Sequence, residues 1–493
     1  MSDSAPFDRP PRITYRMSSF VSRGAVLASA RLLNHALALL SPLLLVRLLE
    51  IAEYGRYRQF MATAIFITSL AGFALSANLN YLIARTPQRQ SVDITNTCLL
   101  MLAVSLVSAL LVVVLRNWIV PPEIENAWLL LAVYVFLFLN LEVLVSYWLA
   151  HRQSFRIMVY TVAMTVWRIG TLLAATFWLR DVEMIFVTIV CAEALKNLWI
   201  YVWLRRRGLL VFRWDSQAMR EQIRLVVPLG AGSLLYKLND FGKVVVANQL
   251  GPVQLAIYTT AAYQVPLVNI VQGALADVIF PDMVKRSQRD ATQGLLLWKR
   301  AQVLIFAAIC PAWVLLTYFA EPLVRVLFTD AFIGAVPYFQ VFLLLMVRQC
   351  FQFSTPLRSI QDNKSFAHAN LIALLINAGL ILALMPRFGL WGPTLGLLIG
   401  QTWTSVYLGS RVLKRLKLPL SELCQWSKLG LALASSLVAL AALHISQLYL
   451  ASTPLGMVAG VAVFGLVYAS AARIILREEY GYVMRAILRR KAA

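Results

Sequence analysis

Leu49-Glu50-Ile51-Ala52-Glu53-Tyr54-Gly55-Arg56-Tyr57 has a counterpart 201 residues later, Leu250-Gly251-Pro252-Val253-Gln254-Leu255-Ala256-Ile257-Tyr258. Each stretch lies between two long apolar runs. At the same offset Gly72 meets Gly273 and Arg85 meets Arg286, so run, connection and run match without a gap. Further along, Tyr201 and Arg205 match Tyr407 and Arg411 at an offset of 206. The pattern predicts two halves of six helices each, 25–204 and 225–410, in the same orientation, with two further helices appended.

The composition says what solvent those helices need. Of 493 residues, 60% are hydrophobic and 14% charged, and the mean hydropathy is +0.71. A soluble chain carries about 25% charged residues, and a single core stops growing near 250–300 residues. This much apolar surface requires a bilayer. Parallel repeats about an axis along the membrane normal are an architecture of membrane transporters, with the binding site between the halves.

A transmembrane helix needs about 20 apolar residues. The predicted spans are 25–48, 60–83, 97–116, 127–149, 157–179, 184–204, 225–247, 254–280, 301–320, 336–357, 367–385, 390–410, 427–447 and 455–475. This gives an all-α integral membrane protein of about fourteen helices. The expected divisions are a tail 1–23, an N-lobe 24–204, a basic linker 205–224, a C-lobe 225–411, the appended pair 412–476 and a basic tail 477–493. The net charge of +22 supports the count. With both termini inside, 30 Lys and Arg fall on cytoplasmic segments and six on the other side, a strong positive-inside bias. One span more or fewer would invert every later loop. The cations sit in short runs between spans, so they read as topology signals and contacts to membrane lipids rather than as a nucleic-acid surface.

The stretch Asn377-Ala378-Gly379-Leu380-Ile381-Leu382-Ala383-Leu384-Met385-Pro386-Arg387-Phe388-Gly389-Leu390-Trp391-Gly392-Pro393 resembles the passage from span 11 to span 12 of polysaccharide flippases. Glu53-Tyr54-Gly55-x-Tyr57 and its better-matching repeat Leu250-Gly251-Pro252 to Tyr258 are similar to that family's Leu-Gly-Pro-x-x-Tyr-Gly-x-Tyr segment. His151-Arg152-Gln153-Ser154-Phe155-Arg156 resembles its basic turn between spans 4 and 5. The family is the Wzx-type lipid-linked oligosaccharide flippases, in the MOP superfamily that also holds MATE exporters and lipid II flippases. The resemblance implies alternating-access movement of an undecaprenyl-diphosphate-linked repeat unit across the bacterial inner membrane. It also implies a proton or sodium gradient as energy source, polymerase and glycosyltransferase partners, and no covalent step.

Charge inside a bilayer costs about 2.5–3.5 kcal/mol near a helix centre, so it faces a cavity or a partner. Arg31, Asn34 and His35 share one face of span 1. Lys237, Asp240 and Lys243 follow a spacing of three on span 7, the repeat counterpart of span 1. These six are the candidate substrate-binding residues, with cations recruiting a diphosphate. Two readings stand for span 7: cavity lining, or neutralisation of Asp240 by its neighbours. Glu142, Arg168, Asp277 and Arg348 are candidates for ion coupling or cavity lining; a Glu142–Arg168 pair across spans 4 and 5 is the alternative for those two. Glu193 and Lys196 read as a structural pair, and Arg47 as snorkelling to the outer interface.

Catalysis is not expected. The sequence has no glycine-rich phosphate loop and no nucleophile elbow. His35, His151, His368 and His444 are scattered, and the five cysteines have no metal spacing. Neither metal nor cofactor is implied. The alternatives are a lipid II flippase or MATE-like drug antiporter and, from another class, a membrane-embedded polymerase or glycosyltransferase.

Overall fold

The computed structural model describes residues 40–72, 79–138, 143–211, 215–263, 290–359, 362–450 and 454–475, apart from 81, 84 and 152. It also describes residues 37, 279, 283, 286 and 287 individually. All the regular structure among them is helical. In the N-lobe, α1 covers 40–48, α2 Ile51–Ala71, α3 Gln90–Val114, α4 Trp128–Phe138, α5 Val143–Ala150, α6 Ser154–Leu179 and α7 Val182–Arg206. In the C-lobe, α8 is Ser216–Leu238, α9 Gly242–Gln249, α10 Gly251–Ala261, α11 Ala291–Tyr318, α12 Ala320–Phe328, α13 Val336–Gln349, α14 Ser354–Ser359, α15 Asn363–Phe388 and α16 Trp391–Leu416. The appended hairpin is α17 Trp426–Leu450 and α18 Pro454–Ile475. Among the described residues, eight helical segments are long and apolar enough to cross a membrane.

Several helices start earlier than hydropathy places them, α2 and α8 among them. α2 begins at Ile51, so the stretch expected to be a loop forms its first two turns. Glu50 stands at the N-cap, and its N–H donates to Glu53 Oε2 at 3.3 Å. That satisfies one of the donors a helix start leaves free. In the other half, Gly251 takes a left-handed φ of 80° and Pro252 enters the first turn of α10, where its missing N–H costs nothing. α8 likewise begins at Ser216, inside the expected linker. Its first turns are held to the N-lobe by an Arg89–Glu221 ion pair at 2.9 Å and a bond from Gln222 Nε2 to the Asp93 carbonyl at 3.0 Å.

The stretch after Asn377 closes a tight hairpin of α15 and α16. Gly392, Gly396 and Gly400 lie one turn apart on α16. A Cβ on each would come within 2.7 Å of Met385, 2.6 Å of Asn377 and 2.8 Å of Ala373. Small residues at this spacing let helix backbones approach where lipid offers no hydrophobic drive. Asn377 Nδ2 then reaches the Asn239 carbonyl at 3.0 Å, joining the hairpin to the 3-10 turn between α8 and α9. α17 packs on α11: Val314 shares a buried cluster with Ala439, Leu443 and Phe464, and Tyr318 Oη bonds His444 Nδ1 at 2.9 Å.

At the cation-rich end, Asp362 caps α15. Burial pushes its carboxyl up, but bonds from Ser365 Oγ (2.9 Å), Ser365 N (3.2 Å) and Arg415 Nε (3.2 Å) hold it below the usual carboxylate range. A depressed acid stabilises the fold above its unfolded pKa, near 3.9, and loses that contribution as pH falls through the folded value. Asp362→Ala is expected to lower stability at neutral pH by roughly 1 kcal/mol, the worth of an N-cap. Thermal unfolding at pH 7 and at about pH 2.5, below the unfolded value, checks this; the difference between mutant and parent should shrink at the lower pH.

Candidate functional site

α2 and α10 are repeat partners, and they meet along the boundary between the lobes. Gly55 lies against the backbone of Pro252, so close that a Cβ there would sit 2.2 Å from the Pro252 carbonyl oxygen. Gln59 is fully buried and donates to the Ala247 carbonyl (2.8 Å) and to Glu123 Oε2 (2.9 Å). Arg47 Nη2 donates to the Val326 carbonyl at 2.9 Å, a defined contact to the other lobe in place of simple snorkelling. From the C-lobe, Val324, Phe328 and Phe332 join the buried cluster of the N-lobe, with Phe332 edge-on to Tyr54 at 5.8 Å. These contacts seal one end of the lobe boundary.

Behind the seal is a cavity of about 470 Å³. α2 supplies Tyr54, Tyr57, Arg58 and Met61, α6 supplies Tyr160, Thr161 and Arg168, and α7 supplies Lys196. The C-lobe contributes Thr259, Thr260, Tyr263 and the ring of Phe328. Tyr54, Arg58, Met61 and Ile65 recur at helical spacing, so starting α2 at Ile51 is what aims Arg58 inward. Arg58 Nε donates to Thr259 Oγ1 at 3.1 Å. Lys196 pairs with Glu193, both nearly buried. Among the described residues neither Arg58 nor Arg168 enters an ion pair. Among the described residues the lining therefore carries two cations outside any ion pair and a third offset by one acid, with hydroxyls and tyrosine rings around them.

Of the residues singled out from the sequence, Arg168 lies in this cavity. Arg31, Asn34, His35, Glu142 and Asp277 lie outside the described residues. Lys237 Nζ donates to the Ser69 carbonyl at 2.9 Å, tying α8 to α2. Asp240 and Lys243 form an exposed pair at 3.3 Å. Arg348 donates to the Gln401 carbonyl at 2.8 Å and to Thr404 Oγ1. It borders a separate apolar groove of about 330 Å³ with Phe351, Leu413 and Trp426. The reading from sequence placed Arg58 in an outer loop and Lys196 in a structural pair. The signal for Arg58 was its place in the repeat, opposite Thr259.

The described helices share their fold with solved transporters and flippases. The structure of lipid II flippase MurJ in an inward closed conformation superimposes with a TM-score of 0.72 at 14% identity, over 92% of this chain and 99% of that one. An inward-facing multidrug resistance MATE family transporter gives 0.60 at 13% identity, over 78% and 94%. A MOP superfamily transporter from Pyrococcus furiosus, described as having a binding pocket of reversed polarity, gives 0.54 at 14%, over 81% and 95%. Among curated proteins none matches. The chain itself belongs to the polysaccharide biosynthesis protein family, whose sequence profile matches residues 44–337. With eight described helical segments long and apolar enough to cross a membrane, it has the fold of multi-pass membrane proteins.

Proposed function

We propose that the chain moves undecaprenyl-diphosphate-linked oligosaccharide repeat units across the bacterial cytoplasmic membrane by alternating access, for surface polysaccharide synthesis. The observation that carries this reading is the cavity's charge: among the described residues Arg58, Arg168 and Lys196 line it, and Glu193 beside it pairs with Lys196. Charge-assisted bonds from guanidinium groups suit a diphosphate, which takes two parallel N–H···O contacts per arginine. The tyrosine rings and threonine hydroxyls suit the sugars beside it. A site for cationic drugs needs the opposite polarity. The positive-inside bias places both termini in the cytoplasm, which makes the sealed end periplasmic and leaves the cavity to be loaded from inside. A proton or sodium gradient drives the cycle, and the pathway's polymerase and glycosyltransferases supply and consume the cargo.

A second reading, transport of lipid II itself, is favoured by the coverage and TM-score of the MurJ superposition. Deleting the gene and following surface glycans separates the two. Loss of a surface polymer, with its lipid-linked repeat unit accumulating on the cytoplasmic leaflet, is the expected result. Intact surface glycans with arrested wall synthesis would favour lipid II.

A further inference from the structure

We propose that the hydrogen bond from Arg58 to Thr259 holds the sealed end shut and is released when an anionic phosphate occupies the cavity; this rests on the cavity reading above. Three observations meet at this bond. Arg58 belongs to the N-lobe and Thr259 to the C-lobe, and the two are related by the repeat offset of 201. The bond therefore joins equivalent positions of the two repeats where α2 packs on α10. Second, the Thr259 hydroxyl donates its own proton to the Leu255 carbonyl at 2.8 Å. Its oxygen is thus oriented as a fixed acceptor, and it offers no charge. Third, Arg58 also lines the cavity, and no carboxylate among the described residues pairs with it.

A guanidinium prefers a phosphate over a neutral hydroxyl, because charge-assisted bonds are roughly twice as strong. An anion in the cavity therefore draws Arg58 away from Thr259. Arg58 is one turn from Tyr54, whose ring packs on Phe332, and three residues from Gly55 at the contact with Pro252. A shift of Arg58 loosens the packing that closes this end. Two packed arrangements of the lobes, biased by one ligand that contacts them differently, are what a switch requires. Arg58 and Thr259 are positioning residues in this scheme: they report occupancy to the seal.

The test uses purified full-length protein with Cys191, the exposed cysteine of the five, replaced by serine. Spin labels at Ala52→Cys and Gln254→Cys, both exposed at the sealed end, report the lobe separation, and inorganic pyrophosphate is the probe. The parent is expected to show one short separation that shifts to a longer one on addition of pyrophosphate. Thr259→Val should show the longer separation without ligand, and Thr259→Ser should restore the short one. Arg58→Gln should match Thr259→Val and lose the response to pyrophosphate. Calorimetry on the same samples records binding. Pyrophosphate that binds but leaves the separation unchanged, or a Thr259→Val protein with the parental separation, overturns the switch while leaving the cavity reading intact. Absence of binding to the parent overturns the cavity reading, and the switch with it.

Discussion

Arg168→Gln is expected to cut glycan export at least about tenfold while the protein stays in the membrane at parental levels. Arg168 lies on the cavity wall contributed by α6 and enters no ion pair among the described residues. Among the described residues its removal strands no ion-pair partner, so the fold is expected to be spared. The loss falls on the cargo. Two unit charges 4 Å apart interact by about 1 kcal/mol in water and about 4 kcal/mol at the dielectric near a protein surface. A loss of about 1.4 kcal/mol is already tenfold in affinity. Arg168→Lys keeps the charge but not the planar fork, so it should be impaired less. Lys196→Gln makes the informative contrast. It leaves Glu193 buried without its partner, which is strongly destabilising, so its loss of export should come with loss of protein. Immunoblots of membrane fractions beside surface-glycan gels distinguish the two cases. Normal export by Arg168→Gln would remove this residue from the site.

Gly55→Ala is expected to lower the thermal stability of the purified protein and to part the lobes at the sealed end. The added Cβ would lie 2.2 Å from the Pro252 carbonyl oxygen and 2.4 Å from its carbon. Both atoms are backbone, so no rotamer change relieves the clash, and α2 must move away from α10. Forcing extra methyl groups into a packed contact typically costs about 1–3 kcal/mol. Gly170→Ala is the control. Nothing lies within 4 Å of a Cβ there, and alanine is favoured over glycine in a helix by about 1 kcal/mol. Melting curves of the two variants should move in opposite directions. A Gly55→Ala protein as stable as the parent would show that the contact of α2 with α10 does not hold the lobes together.

Most of the architecture was legible in the sequence, because apolar runs and cation placement are properties of single segments. Hydropathy found α3, α6, α7 and the hairpin α15–α16 within about seven residues. It failed at the start of α2, and the reason is physical. Glu53, Arg56, Arg58 and Gln59 make the first turns look like a loop, yet Glu53 caps the helix locally and the structure satisfies the other three across the fold. Arg56 Nε donates to the Glu123 carbonyl at 3.1 Å, Gln59 to the Ala247 carbonyl, and Arg58 to Thr259. A polar group that is cheap only because of a partner 188 or 201 residues away cannot be recognised from its own segment. The repeat held the missing information. Its offset aligned Leu49–Tyr57 with Leu250–Tyr258, and one pair related by that offset, Arg58 and Thr259, bonds across the lobes. The same limit explains Lys196: its spacing from Glu193 gives the pair, but only the packing of α7 beside α6 shows that the pair borders a cavity.

The central claim is that this chain carries a diphosphate-linked glycolipid across the membrane. The most direct measurement is flipping of a fluorescent undecaprenyl-diphosphate oligosaccharide in proteoliposomes containing the purified protein, read as the fraction accessible to a glycosidase added outside. The account predicts protein-dependent transfer between leaflets, strongly reduced in Arg168→Gln and competed by inorganic pyrophosphate. Transfer no faster than in protein-free vesicles, under an imposed proton or sodium gradient of either direction, would contradict it.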